Sequence, residues 1–395
     1  QFFSLYRHGF ARVAVATPAV RVGDPEHNLE GTAALAEQAA REKAVLAVFP
    51  ELGLSAYSCE DLFHQQALLR ASEEALAWLL ERSRSLPIAA VVVTFRGGVR
   101  AQTDQTQGLS NLVAQMLIKG TARKSASAIS QQVESLGGAI EPFSGRDGFG
   151  LILQLLSQDA PTGIALMHEL VTESTFPEEE LAIQRTLIAK ELKAQEDEIF
   201  DVGGRLLRQS LFGSHPYRFH PLGEETTIRE RTRAQCQQFA KLWLVPSNAV
   251  IAVFGDVDAA AAARQLQQTF GAMPPNRAPW PERIPEEPPQ EIRSVTRTME
   301  KEQALVMLGF LGSTYGSGDR YALDVMTAVL SGMSGRLFQA VREQQGLSYT
   351  LGATHAPGWD PGYLLVYAAT RPEEQDRVLR ALEELAAAGA LGLEP

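Results

Sequence analysis

Histidine is scarce in this chain and badly spaced for metal: there are seven in 395 residues, and no two stand four apart, as two ligands on one helix face would. Cysteine is scarcer still. Cys59 and Cys236 make neither a metal spacing nor a disulfide framework, and they suit a reducing compartment. No apolar run reaches the ~20 residues that a membrane-spanning helix needs. Lys and Arg form no cluster, and a net charge of −11 argues against a nucleic-acid partner, whose phosphates demand concentrated positive charge. The start, Gln1-Phe-Phe-Ser-Leu-Tyr-Arg-His8, has no basic leader followed by a hydrophobic region, so no signal peptide is visible. A soluble protein is expected, cytoplasmic by preference and periplasmic if a leader was trimmed before Gln1.

What is present is ordinary globular material, 45% hydrophobic and 21% charged, long enough for two or three domains with their own cores. Residues 11–18 predict a strand, about 28–43 an alanine-rich helix, and 44–49 a second strand. Phe49-Pro-Glu-Leu52 closes that strand with a carboxylate, Glu51, at its C-terminal edge, where α/β folds place active groups. A helix over about 65–84 leads to a strand at Ile88–Val93.

Tyr6-Arg-His-Gly-Phe10, Gly23-Asp-Pro25, Phe49-Pro-Glu-Leu52, Ser55-Ala-Tyr-Ser58 and Glu60-Asp61 resemble the opening of the nitrilase-like (carbon-nitrogen hydrolase) glutaminase domain of glutamine-dependent NAD synthetases. That resemblance implies Glu51 as the general base of a Glu-Lys-Cys triad. The lysine and cysteine belong well downstream in that family, and Cys59, eight residues after Glu51, does not fill the role. Glu51 is therefore an orphan base, since thioester chemistry cannot proceed without its thiolate.

From Thr94 the text resembles another family. Phe95-Arg-Gly-Gly98, Gly108-Leu-Ser-Asn-Leu-Val-Ala-Gln-Met-Leu-Ile-Lys-Gly-Thr121, Leu211-Phe-Gly-Ser-His-Pro-Tyr217 and Pro246–Asp256 resemble the pitrilysin (insulinase) zinc peptidases. These inverzincins carry His-x-x-Glu-His on a helix, two metal ligands around a base. Here the three positions read Asn111, Ala114 and Gln115. The resemblance places a third ligand at Glu191, 76 residues beyond Gln115, and a supporting acid at Gln184. Amides are poor zinc ligands and alanine cannot act as a base, so no metal is expected in this chain.

A second signature of the same family survives. Gly335-Arg-Leu-Phe-Gln-Ala-Val-Arg-Glu-Gln-Gln-Gly-Leu-Ser-Tyr349 resembles the helix and turn whose arginine and tyrosine, seven apart, reach the substrate. Arg342 and Tyr349 occupy those positions and suit donation to a peptide carbonyl.

The expected organisation is α/β and α+β: an incomplete nitrilase-like β-α-β segment (1–93), a first pitrilysin-like domain with a degenerate zinc helix (94–271), a Pro/Glu-rich linker (272–291), and a second, truncated pitrilysin-like domain (292–395). The abrupt change near 93 suggests a fusion or chimera. The expected function is a pseudopeptidase that binds peptide and complements a zinc-bearing partner in a heterodimer, or self-associates; extended peptide could add to a sheet edge between subunits. The alternatives are a structural or assembly subunit and a fragment of an NAD-synthetase amidase.

Overall fold

The structure, a computed structural model, describes residues 13–22, 24–42, 46–49, 74–75, 77–78, 88–280, 284–331 and 335–387. The N-terminal segment contributes β1 (Val13–Val15), α1 (Pro25–Arg41) and β2 (Leu46–Val48). β1 and β2 pair in parallel, Val13 with Leu46 and Val15 with Val48, which requires a crossover connection such as α1 supplies. Asp24 caps α1 by accepting the His27 N–H at 3.1 Å, and Pro25 fits the first turn. Among the described residues this ladder joins no other strand. Glu51, Cys59 and most of the helix expected over 65–84 lie outside the described residues.

The next unit contains β3 (Ile88–Arg96), α2 (Leu109–Met116), α3 (Ala126–Ser135), β4 (Ala139–Ser144), β5 (Gly148–Leu156), α4 (Ala160–Thr172), α5 (Glu178–Gln195), α6 (Ile199–Leu211), α7 (Glu225–Arg229), α8 (Arg233–Trp243), β6 (Ala249–Gly255) and α9 (Ala259–Thr269). Its antiparallel sheet runs β4-β5-β3-β6. β3 is rich in β-branched residues and alternates strictly: Ala89, Val91, Val93 and Phe95 are fully buried, facing Leu112, Val113, Leu166 and Phe239 in one core.

This strand corrects one expectation. Ile88–Val93 was read as the last strand of the N-terminal segment, yet it continues without a break to Arg96 and pairs along its length with β5 and β6, not with β1 or β2. Val93 lies opposite Leu151 and Ile251, and Thr94 opposite Gly150 and Val250. The boundary expected at 93 thus falls in the middle of a central strand. The physical reason is the uninterrupted buried alternation of β3, which both neighbouring strands complete.

The following unit comprises β7 (Ala304–Leu311), α10 (Asp319–Ser331), a π-helical turn (Phe338–Glu343), β8 (Thr350–Ala356), β9 (Tyr363–Thr370) and α11 (Gln375–Ala387). Its sheet runs β7-β9-β8. Leu337, Val341, Val366, Val378 and Leu382 form its core. The other face of this sheet rests on α6 of the preceding unit: Phe200 meets Tyr367 edge-on at 5.7 Å, and Gly203 and Gly309 leave room for Met307 and Leu207 respectively.

The described residues of 272–291 hold no helix or strand beyond the end of a short turn. They are nevertheless anchored. Trp280 sits edge-on to both Trp243 and Trp359 and lies under the Arg100 guanidinium at 4.2 Å. Glu286 accepts the backbone N–H groups of Gly213 and His215 at 2.9 and 3.0 Å.

Candidate functional site

The start of α2 is fixed by Gly108. Its φ of +78° is left-handed, and a Cβ there would lie 2.5 Å from the Leu222 carbonyl oxygen, so only glycine fits. Its N–H donates to Gln102 Oε1 at 3.0 Å. Ser144 on β4 donates to Ser110 at 3.2 Å, tying α2 to the sheet. On this helix Asn111 and Ala114 are buried and Gln115 is half-buried; α5, which packs against α2, carries buried Gln184 and exposed Glu191. The residues matched to a zinc site are therefore one carboxylate and two neutral amides, which do not fit the metal: a zinc centre requires deprotonated or imidazole donors in a closed set. Among the described residues no three His, Cys, Asp or Glu side chains come together as a metal would need.

Arg342 and Tyr349 are brought together. The Arg342 guanidinium carbon lies 4.3 Å from the Tyr349 ring centroid and 4.7 Å from that of Phe338, so the cation is held between two aromatic faces. Its Nη1 also donates to the Tyr349 carbonyl at 3.4 Å. Sequence reading missed both Phe338 and the backbone behind this arrangement. The segment widens into a π-turn, in which the Gln344 N–H donates to the Gln339 carbonyl at 2.9 Å, and Gly346, with φ +62°, turns the chain into β8. Tyr349 is 79% exposed. Arg342 is half-buried, and among the described residues its guanidinium has no carboxylate partner, so the stack offers donors beside an exposed phenol, as a group awaiting a carbonyl would.

A second polar constellation, unseen in the sequence, lies between the two units. Asp360 is wholly buried. It accepts from Arg100 Nε at 2.5 Å and Nη2 at 3.3 Å, and from the Ile284 N–H at 3.1 Å. His215 Nε2 lies 3.0 Å from the same carboxylate. Because His215 Nδ1 accepts the Tyr217 N–H at 3.1 Å, the ring proton sits on Nε2 and donates to Asp360. Burial raises the Asp360 carboxyl, but the hydrogen bonds from Arg100 and His215 outweigh it and hold the group below the usual carboxylate range. Burial pulls His215 below the usual imidazole range, with Asp360 opposing. Tyr217 donates to Asp147, and Arg146 donates to the Ala356 and Pro357 carbonyls at 3.0 and 2.6 Å. All of these groups answer one another, so the cluster joins the units instead of offering chemistry.

Ser313, His355 and Asp324 also form a chain: Ser313 Oγ stands 3.1 Å from His355 Nε2, and His355 Nδ1 2.8 Å from Asp324 Oδ1. The order is that of a hydrolytic triad, but the exposure is inverted. The imidazole is fully enclosed, Ser313 is buried, and the carboxylate faces solvent. A nucleophile must meet its substrate, so this trio ties β8 to α10 and to the exit of β7.

Comparison with known proteins agrees with these features. The family model for insulinase (peptidase family M16) matches residues 78–227, and that for the peptidase M16 inactive domain matches 231–393. A carbon-nitrogen hydrolase model matches 12–124, overlapping the first of these. The chain is 29% identical over 307 residues to a protein of Bacillus subtilis called uncharacterized zinc protease YmxG, covering 78% of this chain and 74% of that one. It is 29% identical over 289 residues to a protein of Streptomyces coelicolor called uncharacterized zinc protease SCO5738, covering 72% of this chain and 63% of that one. A crystal structure of a peptidase M16 inactive domain from Pseudomonas fluorescens superposes with a TM-score of 0.70 at 26% identity, over 78% of this chain and 74% of that one. With its mixed α/β architecture, the chain is a homologue of the M16 (pitrilysin/insulinase) peptidase family.

Proposed function

We propose that this chain is a non-catalytic M16 homologue that binds peptide and completes a zinc-bearing partner subunit. The observation that carries the reading is the stack of half-buried Arg342 on exposed Tyr349, in a chain whose α2 carries Asn111, Ala114 and Gln115 where a zinc helix needs ligands and base. An arginine held between two rings keeps its donors oriented, so a substrate carbonyl meets fixed charge without reorganisation. Catalysis would come from a partner's zinc, and this chain would hold the peptide beside it. The matched inactive-domain family and the zinc-protease names of the relatives support this division of labour.

The test is a fluorescence-anisotropy titration of an extended, uncharged peptide with the pure chain. Binding is expected, weakened at least tenfold in Arg342→Ala and measurably in Tyr349→Phe. Equal affinity in all three proteins would remove the stack from the peptide site.

A further inference from the structure

Positive charge collects at one place in a chain whose net charge is −11. Arg205 and Arg208 stand three apart on α6, Arg146 lies in the turn between β4 and β5, and His220 follows the short turn Pro216–Arg218. Tyr363, at the head of β9, joins them: the Arg146 guanidinium carbon lies 5.3 Å from its ring centroid, and its hydroxyl reaches Arg208. All five side chains are half-buried. Two of the cations are answered. Arg205 pairs with Glu196 at 2.5 Å, and Arg146, beside Asp147, donates to the Ala356 and Pro357 carbonyls. Arg208 is not answered: among the described residues no carboxylate pairs with it, and its Nε is shut from solvent without a hydrogen-bond partner. His220 is in the same position. Its Nδ1 accepts the Leu222 N–H at 3.2 Å, which puts the ring proton on Nε2, and that N–H has no acceptor among the described residues. Burial pulls Arg208 below the usual guanidinium range, Tyr363 opposes, and Arg146 and Arg205 add to the fall. Burial, then the charges of Arg208 and Arg205, lowers His220 to about 4. A cation and a donor left half-buried beside like charge cost free energy that one bound anion recovers.

We propose that this junction binds a peptide carboxylate, held by the Arg208 guanidinium with the His220 Nε2–H beside it. The guanidinium fork matches the two oxygens of a carboxylate. The charge count selects a carboxylate over a phosphate. Glu196 neutralises Arg205 and Asp147 stands next to Arg146, which leaves one positive charge over. A single negative charge matches it, whereas a phosphate dianion would leave negative charge half-buried. General attraction does not account for such binding, because a chain of this net charge repels anions as a whole. The inference rests on the peptide-binding reading above but uses other residues: Arg342 and Tyr349 meet a carbonyl, and this junction meets a charged group of the same class of ligand.

Fluorescence anisotropy of the full chain with three versions of one peptide tests this, each blocked at its N-terminus by an uncharged fluorophore. The first is amidated at its C-terminus, the second ends in a free carboxylate, and the third is amidated with one glutamine replaced by glutamate. A carboxylate peptide is expected to bind at least tenfold tighter than the neutral one. Whether the second, the third or both gain tells a chain end from an acidic side chain. In Arg208→Gln the gain should vanish while affinity for the neutral peptide stays. Equal affinity for all three peptides overturns the proposal, as does a gain that Arg208→Gln leaves intact. The peptide-binding reading fails differently, through a neutral peptide whose affinity Arg342→Ala does not change. Should Arg208→Gln not fold, the wild-type chain decides. Saturation with the tighter peptide should raise His220 from about 4, because an anion beside an imidazole favours its protonated form. Carbon-13 NMR of histidine-labelled protein, with His220→Gln for assignment, measures it, and an unmoved His220 overturns the proposal.

Discussion

The Arg342 guanidinium lies over the Tyr349 ring at 4.3 Å, seven residues apart in sequence and joined by a π-turn and a left-handed glycine. This pair carries the proposed function, in a chain whose α2 bears Asn111, Ala114 and Gln115. An exposed cation–π contact is worth on the order of 0.5–1 kcal/mol, too little to explain the arrangement by stability alone. Arg342→Ala should therefore shift the unfolding free energy by no more than about 1 kcal/mol while abolishing most of the peptide affinity. Urea denaturation of the variant checks the first half.

Asp360 and Arg100 make the opposite case, a buried pair whose loss leaves a charge stranded. Asp360→Ala should destabilise by about 3–5 kcal/mol, since Arg100 and the His215 N–H would lose their acceptor. Replacing Arg100 by Met together with Asp360 by Leu should recover much of that loss. Chemical denaturation of the three proteins measures it.

Acid should weaken the junction between the units. Burial, with Arg208 and Arg205 nearby, lowers His220 to about 4, so the unfolded chain takes up its proton first. The stability that neutral His220 contributes is complete above its ordinary pKa of about 6.5 and falls as pH drops toward 4, by roughly 3 kcal/mol for this one group. His215 acts in the same direction. Asp360, lowered in the folded state, adds a further loss below the ordinary carboxylate range. Thermal melts from pH 7 to pH 4 should show a steady decline, and His220→Gln should flatten its upper part.

Cys236 is buried in the first core, and burial pushes its thiol up to about 12. Thiolate is the reactive form, so Cys236 should resist iodoacetamide in the native protein and react only on unfolding. Peptide-level mass spectrometry separates its labelling from that of Cys59.

Restoring ligands should restore metal. Asn111 and Gln115 stand one helical turn apart on α2, against the helix that bears Glu191. Asn111→His with Gln115→His should bind about one zinc per chain, and Glu191→Ala should then weaken it by an order of magnitude or more. Inductively coupled plasma mass spectrometry after dialysis gives the stoichiometry.

Much of the first unit was legible because its signals are local. The apolar run of Ile88–Val93 and the Gly108-Leu109 step at the head of α2 each declare themselves within one element. The seven-residue spacing of Arg342 and Tyr349 was readable too, and the fold brings the two side chains together. What escaped depends on distant partners. A change of sequence character near 93 says nothing about which sheet Ile88–Val93 joins; that is decided by Leu151–Leu156 and Ala249–Gly255. Asp360 reads as a turn residue in Trp-Asp-Pro-Gly, and only the fold sets Arg100, 260 positions away, against it. Trp280 lies in a proline-rich stretch that composition marks as loose, yet three distant residues hold its ring. The π-turn leaves no signature in helical periodicity.

The most direct test of the account is a cleavage assay on a quenched peptide library with three samples: this chain alone, an M16 peptidase subunit with an intact His-x-x-Glu-His alone, and the two mixed. The account gives no zinc-dependent cleavage by this chain, and a rate in the mixture that exceeds the partner's own and falls with Arg342→Ala or Tyr349→Phe. Zinc-dependent cleavage by the pure chain, abolished by Glu191→Ala, would contradict it.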